Sequence, residues 1–302
     1  RVPFMPGLAW LTQMIMNCPF QGMKIMLLIM KDCRKFYKLF FLILFLGGIA
    51  CTENTKEEEQ VFTGEALGTT YQVKFYHSEE VDINKALDSI FRVINSSMST
   101  YQADSDISRI NSGDSTKIID EHFRNVFLAS KKIYEESGGM FDPTVGKLVN
   151  AYGFGPEGPQ RAFNHEKLDS IRQYVGFNKL QLTDDGRIQK AHTEIYLDFN
   201  AIAKGYAVDE IARYLDKKDI DNYLVELGGE LVGKGKNLGR DQMWAVGIDN
   251  PEQVEGERKL QAAVKLENLA MASSGNYRKY RTDPETGQAF VHTINPLTGL
   301  AE

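Results

Sequence analysis

The stretch EIYLDFNAIAKGYAVDEIARYL, Glu194 to Leu215, changes its periodicity midway. In the first half Ile195, Leu197 and Phe199 alternate with Glu194, Asp198 and Asn200, the two-residue period of a half-buried strand. In the second half Ala207, Val208, Ile211, Ala212 and Leu215 fall on one helical face. The spacing therefore predicts a strand running into a helix through a short turn, with Asp198 at the strand end and Lys204 and Gly205 at the helix start. Such a junction aims backbone N–H groups and the positive end of the helix dipole at one point. A lysine and an aspartate there suggest a phosphate partnered by a metal ion. An ordinary strand–turn–helix accounts for the turn taken by itself.

Outward from this stretch, helices and strands mix without a regular βαβ period. Ala66 to Tyr76 is β-rich, Ile83 to Met98 and Arg124 to Ser137 have helical spacing, and Phe141 to Gly155 reads as a turn, a short helix and a glycine-flanked exit. Val225 to Asn237 reads as two strands around Gly228–Gly229, with GKGKN from Gly233 as a hairpin. Trp244 to Pro251 is a further strand, and Leu260 to Met271 is β-leaning. The fold class this predicts is α+β, as one domain with two lobes.

The front of the chain has a different character. Lys31, Arg34, Lys35 and Lys38 precede the apolar run LFFLILFLGGIA, Leu39 to Ala50, which ends at Cys51. The run has the length of a secretory h-region and falls short of the roughly 20 residues a membrane span needs. Small residues before a cysteine at that point resemble a bacterial lipoprotein signal. The expected organisation is an over-extended reading frame at 1–29 and a signal at 30–51 ending at a lipidated Cys51. An acidic tether follows at 52–62, then the domain at 63–302. Cys18, Cys33 and Cys51 are the only cysteines, so the part after the signal has no disulfide and no cysteine-based metal site. A net charge of -6 leaves no basic footprint for nucleic acid.

Several chemistries find no support. There is no Gly-x-Ser-x-Gly elbow for a serine hydrolase, no His-x-x-x-His for zinc, and no Gly-x-Gly-x-x-Gly after a strand for a dinucleotide fold. Four segments in order do carry a signal: STYQADSDISRIN (Ser99 to Asn111), MFDPTVGKLVNAYGFG (Met140 to Gly155), LDFNAIAKGYAVD (Leu197 to Asp209), and SSGNYRKY followed by HTINPLTG (Ser273 to Gly299). Together they resemble the ApbE family, the FAD:protein FMN transferases, from Leu67 to Gly299.

The resemblance implies an α+β fold with an FAD cleft beside a magnesium site. It implies transfer of FMN from FAD to a threonine hydroxyl of an acceptor flavoprotein, with release of AMP. Acceptors would be subunits of ion-pumping NADH:quinone reductases or related proteins, and the enzyme would be lipid-anchored on the periplasmic face of a membrane. Leu67, Tyr101, Met140, Phe141, Asp142, Asp198, Lys204 and Ile294 match positions lining the FAD site. Ala201 matches a position whose carbonyl ligates Mg2+, and His292 a histidine that takes the acceptor's proton. The family completes its magnesium site with an Asp and a Thr downstream of HTINPLTG, so the resemblance marks the sequence as C-terminally truncated. Alternative readings are an FAD pyrophosphatase and a non-catalytic flavin-binding lipoprotein.

Local structure competes with function at each position. Asp198 and Asp142 could cap the turns that follow them, Asp142 standing before Pro143 in a common helix-start pair. Lys204 could be a solvated helix lysine, Tyr101 and Phe141 core residues, and His292 a structural histidine. Asp104 and Asp106 lie in a Ser/Asp-rich loop where turn chemistry is the default.

Overall fold

Alternation of side chains builds a sheet from both ends of the chain. In the computed structural model, which describes residues 56–156, 165–253, 259–275, 280–282, 287 and 289–301, strands β1 (Glu58–Ala66) and β2 (Thr69–His77) form an antiparallel hairpin. The stretches expected as a reading-frame extension at 1–29 and as a signal at 30–51 lie outside the described residues. Strand β1 begins at Glu58, inside the stretch expected as a tether. Its acidic residues fit an edge strand with one face in water, while Phe62 turns inward and stacks on Phe75 at 5.8 Å between ring centroids. Among the described residues no helix is long and apolar enough to cross a membrane.

After α1 (Asn84–Met98), α2 (Asp106–Asn111), α3 (Glu121–Glu136), α4 (Gly146–Ala151) and α5 (His165–Arg172) comes a small hairpin, β3 (Leu180–Leu182) with β4 (Ile188–Lys190). Helix α6 (Asn200–Asp216) leads into β5 (Tyr223–Leu227), β6 (Glu230–Lys234), β7 (Lys236–Asn237), β8 (Gln242–Asp249), β9 (Leu260–Leu266) and β10 (Leu269–Met271). A last hairpin joins β11 (Tyr280–Thr282) and β12 (Ala289–Val291). The main sheet has the order β1-β2-β5-β6-β10 and is antiparallel throughout; β7, β8 and β9 form a second sheet. This is an α+β fold, as the mixed pattern predicts.

The two faces of β5 separate two cores. Tyr223, Val225 and Leu227 point toward the helices, joining Leu87, Phe91 and Ile94 of α1 and Ala207, Val208, Ile211 and Leu215 of α6. Leu224 and Leu231 point the other way, against Trp244, Val246 and Leu266 of the second sheet. Helices thus cover one face of the main sheet and a second sheet covers the other. A third core gathers Leu148 and Ala151 of α4 with Leu168 and Ile171 of α5.

The GKGKN hairpin is corrected. Strand β6 does not fold back onto β7; the chain passes through Gly235 at φ +61 and β7 pairs with β8 instead. A Cβ at Gly235 would collide with the Asn222 side chain and the Asp221 carbonyl, so glycine is required where the chain changes sheets.

Candidate functional site

The segment expected as a strand at 194–199 is extended but has no continuous strand partner among the described residues. Its ladder is one parallel bridge, Tyr196 to Val145. A side chain does the work of a neighbouring strand: Asn111, the last residue of α2, accepts from the Leu197 N–H at 2.7 Å and donates to the Leu197 carbonyl at 2.8 Å. The next residue is held from the opposite side, the Asp198 N–H donating to the Pro143 carbonyl at 2.8 Å. Leu197–Asp198 is therefore where the segments 99–111, 140–155 and 197–209 meet.

Helix α6 begins at Asn200, earlier than expected, so Lys204 and Gly205 lie in its second turn and not at its start. The Asp198 carboxylate organises the first turn, one oxygen accepting from the Asn200 N–H at 2.7 Å and the other from the Asn200 side-chain amide at 3.1 Å. The turn-capping role thus operates at this residue. Burial pushes the Asp198 carboxyl up, and the bonds from Asn200 oppose that shift. Tyr101, 64% exposed, stands close enough that its hydroxyl is pushed up by partial burial and by the Asp198 charge.

Asp142 points inward. One of its oxygens accepts from the N–H and hydroxyl of Thr144 at 2.8 and 2.6 Å, the other from the Phe177 N–H at 3.2 Å. Thr144 in turn accepts from the Gly176 N–H at 2.7 Å. Burial pushes the Asp142 carboxyl up, against the pull of these donors and of Lys179. Its carboxylate is occupied by the protein, which leaves the adjacent surface to Phe141, half-buried, and Met140, 53% exposed.

Leu67 and Lys204 mark one end of the main sheet. Leu67 and Gly68, at φ +50 and +74, make the two-residue β1–β2 turn, a conformation that a leucine adopts only under constraint. The β5–β6 turn lies beside it, the Gly228 N–H donating to the Thr70 carbonyl at 3.0 Å. Lys204 reaches that turn: its ammonium is 2.7 Å from the Glu230 carboxylate and 3.3 Å from the Gly228 carbonyl. The lysine read as a phosphate partner is an ion-paired residue here, and its partner Glu230 had no signal in the sequence.

The HTINPLTG segment docks on α4 and α5. Asn295 ties it into a loop, accepting from the Leu297 and Thr298 N–H groups at 3.0 and 3.3 Å. Tyr152 donates to the Gly299 carbonyl at 3.2 Å, and Arg172 to the Leu297 carbonyl at 3.1 Å. Ile294 packs against the third core. His292 faces Phe154, ring centroids 6.3 Å apart. Leu297 lies beside Gly139, where an added Cβ would be 3.5 Å from its Cδ2, so the loop reaches the residue preceding Met140.

Ala201 is exposed in the first turn of α6. Among the described residues no group of three or more His, Cys, Asp or Glu side chains converges. Magnesium keeps several waters and usually sits with one or two carboxylates and substrate phosphates. Among the described residues the side chains therefore form no protein cage for a metal ion, and a magnesium ion here would depend on substrate phosphates and water.

Comparison with known proteins gives this geometry a context. The ApbE family model matches residues 67–302. The FAD:protein FMN transferase of Haemophilus influenzae is 35% identical over 262 residues, covering 83% of this chain and 74% of that protein. The Vibrio cholerae protein of the same name is 35% identical over 253 residues, covering 81% and 74%. Among solved structures, the flavin transferase ApbE from Vibrio cholerae superposes with a TM-score of 0.69 at 32% identity, covering 81% of this chain and 78% of that one. The apo form of the Pseudomonas stutzeri flavinyl transferase ApbE gives 0.70 at 30% identity, covering 81% and 76%. With its mixed layers and three of its four ordered motif segments meeting at Leu197–Asp198, this chain belongs to the ApbE family.

Proposed function

We propose that this chain is an FAD:protein FMN transferase that moves FMN from FAD onto a threonine hydroxyl of an acceptor flavoprotein and releases AMP. The observation that carries the reading is the junction at Leu197–Asp198, which gathers three motif segments in a chain whose relatives bear that name. FAD would lie against Leu67, Tyr101, Met140, Phe141, Asp198, Lys204 and Ile294, with Asp142 shaping the Phe141 turn from behind.

The reaction needs a hydroxyl aligned with a phosphorus, its proton removed, and the charge on the pyrophosphate offset. The threonine oxygen forms a bond to the phosphorus of the FMN half. The bond from that phosphorus to the bridging oxygen breaks, and AMP leaves with the electron pair. His292 takes the hydroxyl proton, since a neutral imidazole has one ring nitrogen able to accept it. Lys204 offers positive charge at the sheet end once it exchanges Glu230 for a phosphate. Magnesium, held by the Ala201 carbonyl, would supply further neutralisation of phosphate charge.

The basic region, apolar run and Cys51 support an exported lipoprotein at the periplasmic face of a membrane. Resemblance to the family supports acceptor subunits of ion-pumping NADH:quinone reductases or related flavoproteins. The test incubates the protein with FAD, Mg2+ and such an acceptor domain. The expected result is flavin that stays on the acceptor through denaturation and is lost when the target threonine is replaced by valine. AMP released equally fast without acceptor would make the protein an FAD pyrophosphatase, and FAD binding without AMP release would make it a flavin-binding protein.

A further inference from the structure

Asn111 closes the segment STYQADSDISRIN, and the proposed chemistry gives it no part. We propose that Asn111 is a positioning residue for FAD: by gripping both backbone polar groups of Leu197, it fixes where Asp198 presents its carboxylate. The inference rests on the reading of Asp198 as an FAD-site residue.

The grip is built on a fixed platform. Helix α2 is anchored by Ile107 and Ile110, 0% and 2% exposed, so its last residue is held by the main core. From there the Asn111 amide meets Leu197 as a peptide group would meet one in a ladder, at 2.7 and 2.8 Å. A planar group with one donor and one acceptor side by side is what this pairing needs, and among side chains of this length only asparagine provides it. The backbone is pinned again one residue later by the Asp198-to-Pro143 bond. Two consecutive peptide units held from opposite sides leave the Asp198 side chain little freedom of direction before α6 begins.

The surroundings reinforce the same loop. Lys190 donates to the carbonyls of Asn111, Thr193 and Ile195 at 3.3, 2.9 and 3.0 Å, so the segment before Leu197 is tied to α2 as well. Among the described residues the titratable groups near this junction are Lys190, Asp198, the Lys147–Glu194 ion pair that acts on Lys190, and Tyr101 facing Asp198. If Asn111 lets go, Leu197 can remain buried through its side chain, but the orientation of the next residue is no longer set from the α2 side.

The variant Asn111→Asp gives a test that a purely structural role would not pass. Ionised, the new carboxylate can still accept from the Leu197 N–H but opposes the Leu197 carbonyl. Protonated, the acid regains one donor and one acceptor. FAD binding would be measured by calorimetry for the wild type, Asn111→Asp, Asn111→Ala and Asp198→Ala, at about pH 7.5 and about pH 4.5, where a carboxyl facing a carbonyl oxygen gains its proton. Melting curves would report the folded fraction. Asn111→Asp and Asn111→Ala should each weaken FAD binding by about tenfold at the higher pH, the loss expected for one to two hydrogen bonds. At the lower pH the Asn111→Asp deficit relative to wild type should shrink to within about threefold while that of Asn111→Ala persists.

If Asp198→Ala weakens FAD binding but folded Asn111 variants bind like wild type, the inference is overturned and the site reading stands. If Asp198→Ala binds like wild type, the site reading falls and the inference with it. Should Asn111→Ala not fold, Asn111→Asp carries the test alone; if neither folds at either pH, Asn111 is structural and the inference is overturned.

Discussion

Asp142 receives hydrogen bonds from three protein donors, whereas among the described residues Asp198 accepts only from Asn200, at the head of the next helix. The two carboxylates therefore respond differently to substitution. Asp142→Ala leaves the Thr144 and Phe177 N–H groups buried without an acceptor and should cost about 2–3 kcal/mol in denaturant unfolding. Asp198→Asn keeps the bond from the Asn200 N–H, and the Asn200 amide can turn to offer its oxygen to the new NH2 group. It also removes a charge whose burial is unfavourable. Because Asp198 binds its proton more tightly folded than unfolded, folding is favoured at acid pH. That advantage is lost as the pH rises from the unfolded carboxyl value through the raised folded one. Asp198→Asn should accordingly raise the melting temperature of the FAD-free protein at neutral pH, and the gain should vanish below the unfolded value. A stabilising change that also weakens FAD binding would mark Asp198 as kept for function.

At the scale of elements, α1, α3 and α6 and strands β2, β5 and β6 are legible in the sequence, the helices because each buries one regular stripe. The apolar positions Ala207, Val208, Ile211, Ala212 and Leu215, read from spacing alone, are all buried on α6. The segment at 194–199 departs from its pattern because period two reports alternating burial, and an asparagine side chain can satisfy the backbone where a strand would. The start of β1 is hidden because an exposed edge strand tolerates an acidic sequence. Of the site, the segments are visible, while the pairings are not: Glu230 lies 26 residues from Lys204 and Asn111 lies 86 from Leu197, beyond any local pattern. The same reasoning identifies Gly235 as the hinge between sheets. Gly235→Ala would force a side chain into the left-handed region and into the Asp221 carbonyl. It should destabilise by about 2 kcal/mol or more in urea unfolding, with Trp244 fluorescence reporting loss of the second core.

For the whole molecule, the division of labour follows the layers. The residues read as holding FAD come mainly from the sheet end, the α6 head and the 140–142 turn. His292 comes instead from a loop that docks on α4 and α5 through Tyr152, Arg172 and Ile294. Binding and proton transfer should then be separable by mutation. A residue that cradles FAD acts in both the ground and the transition state, whereas a base acts mainly in the chemical step. Asp198→Ala should raise the FAD dissociation constant. His292→Ala should leave FAD binding largely intact and slow transfer to the acceptor by about 10²–10⁴-fold, the contribution expected of a general base. Both are read in one assay that pairs calorimetry with FAD against the rate of flavin attachment across pH. Near-normal attachment by His292→Ala at every pH would remove it as the base. Loss of FAD binding in the same variant would instead mean that the docked loop helps to close the flavin site, and the base would then be sought among the carboxylates beside α6.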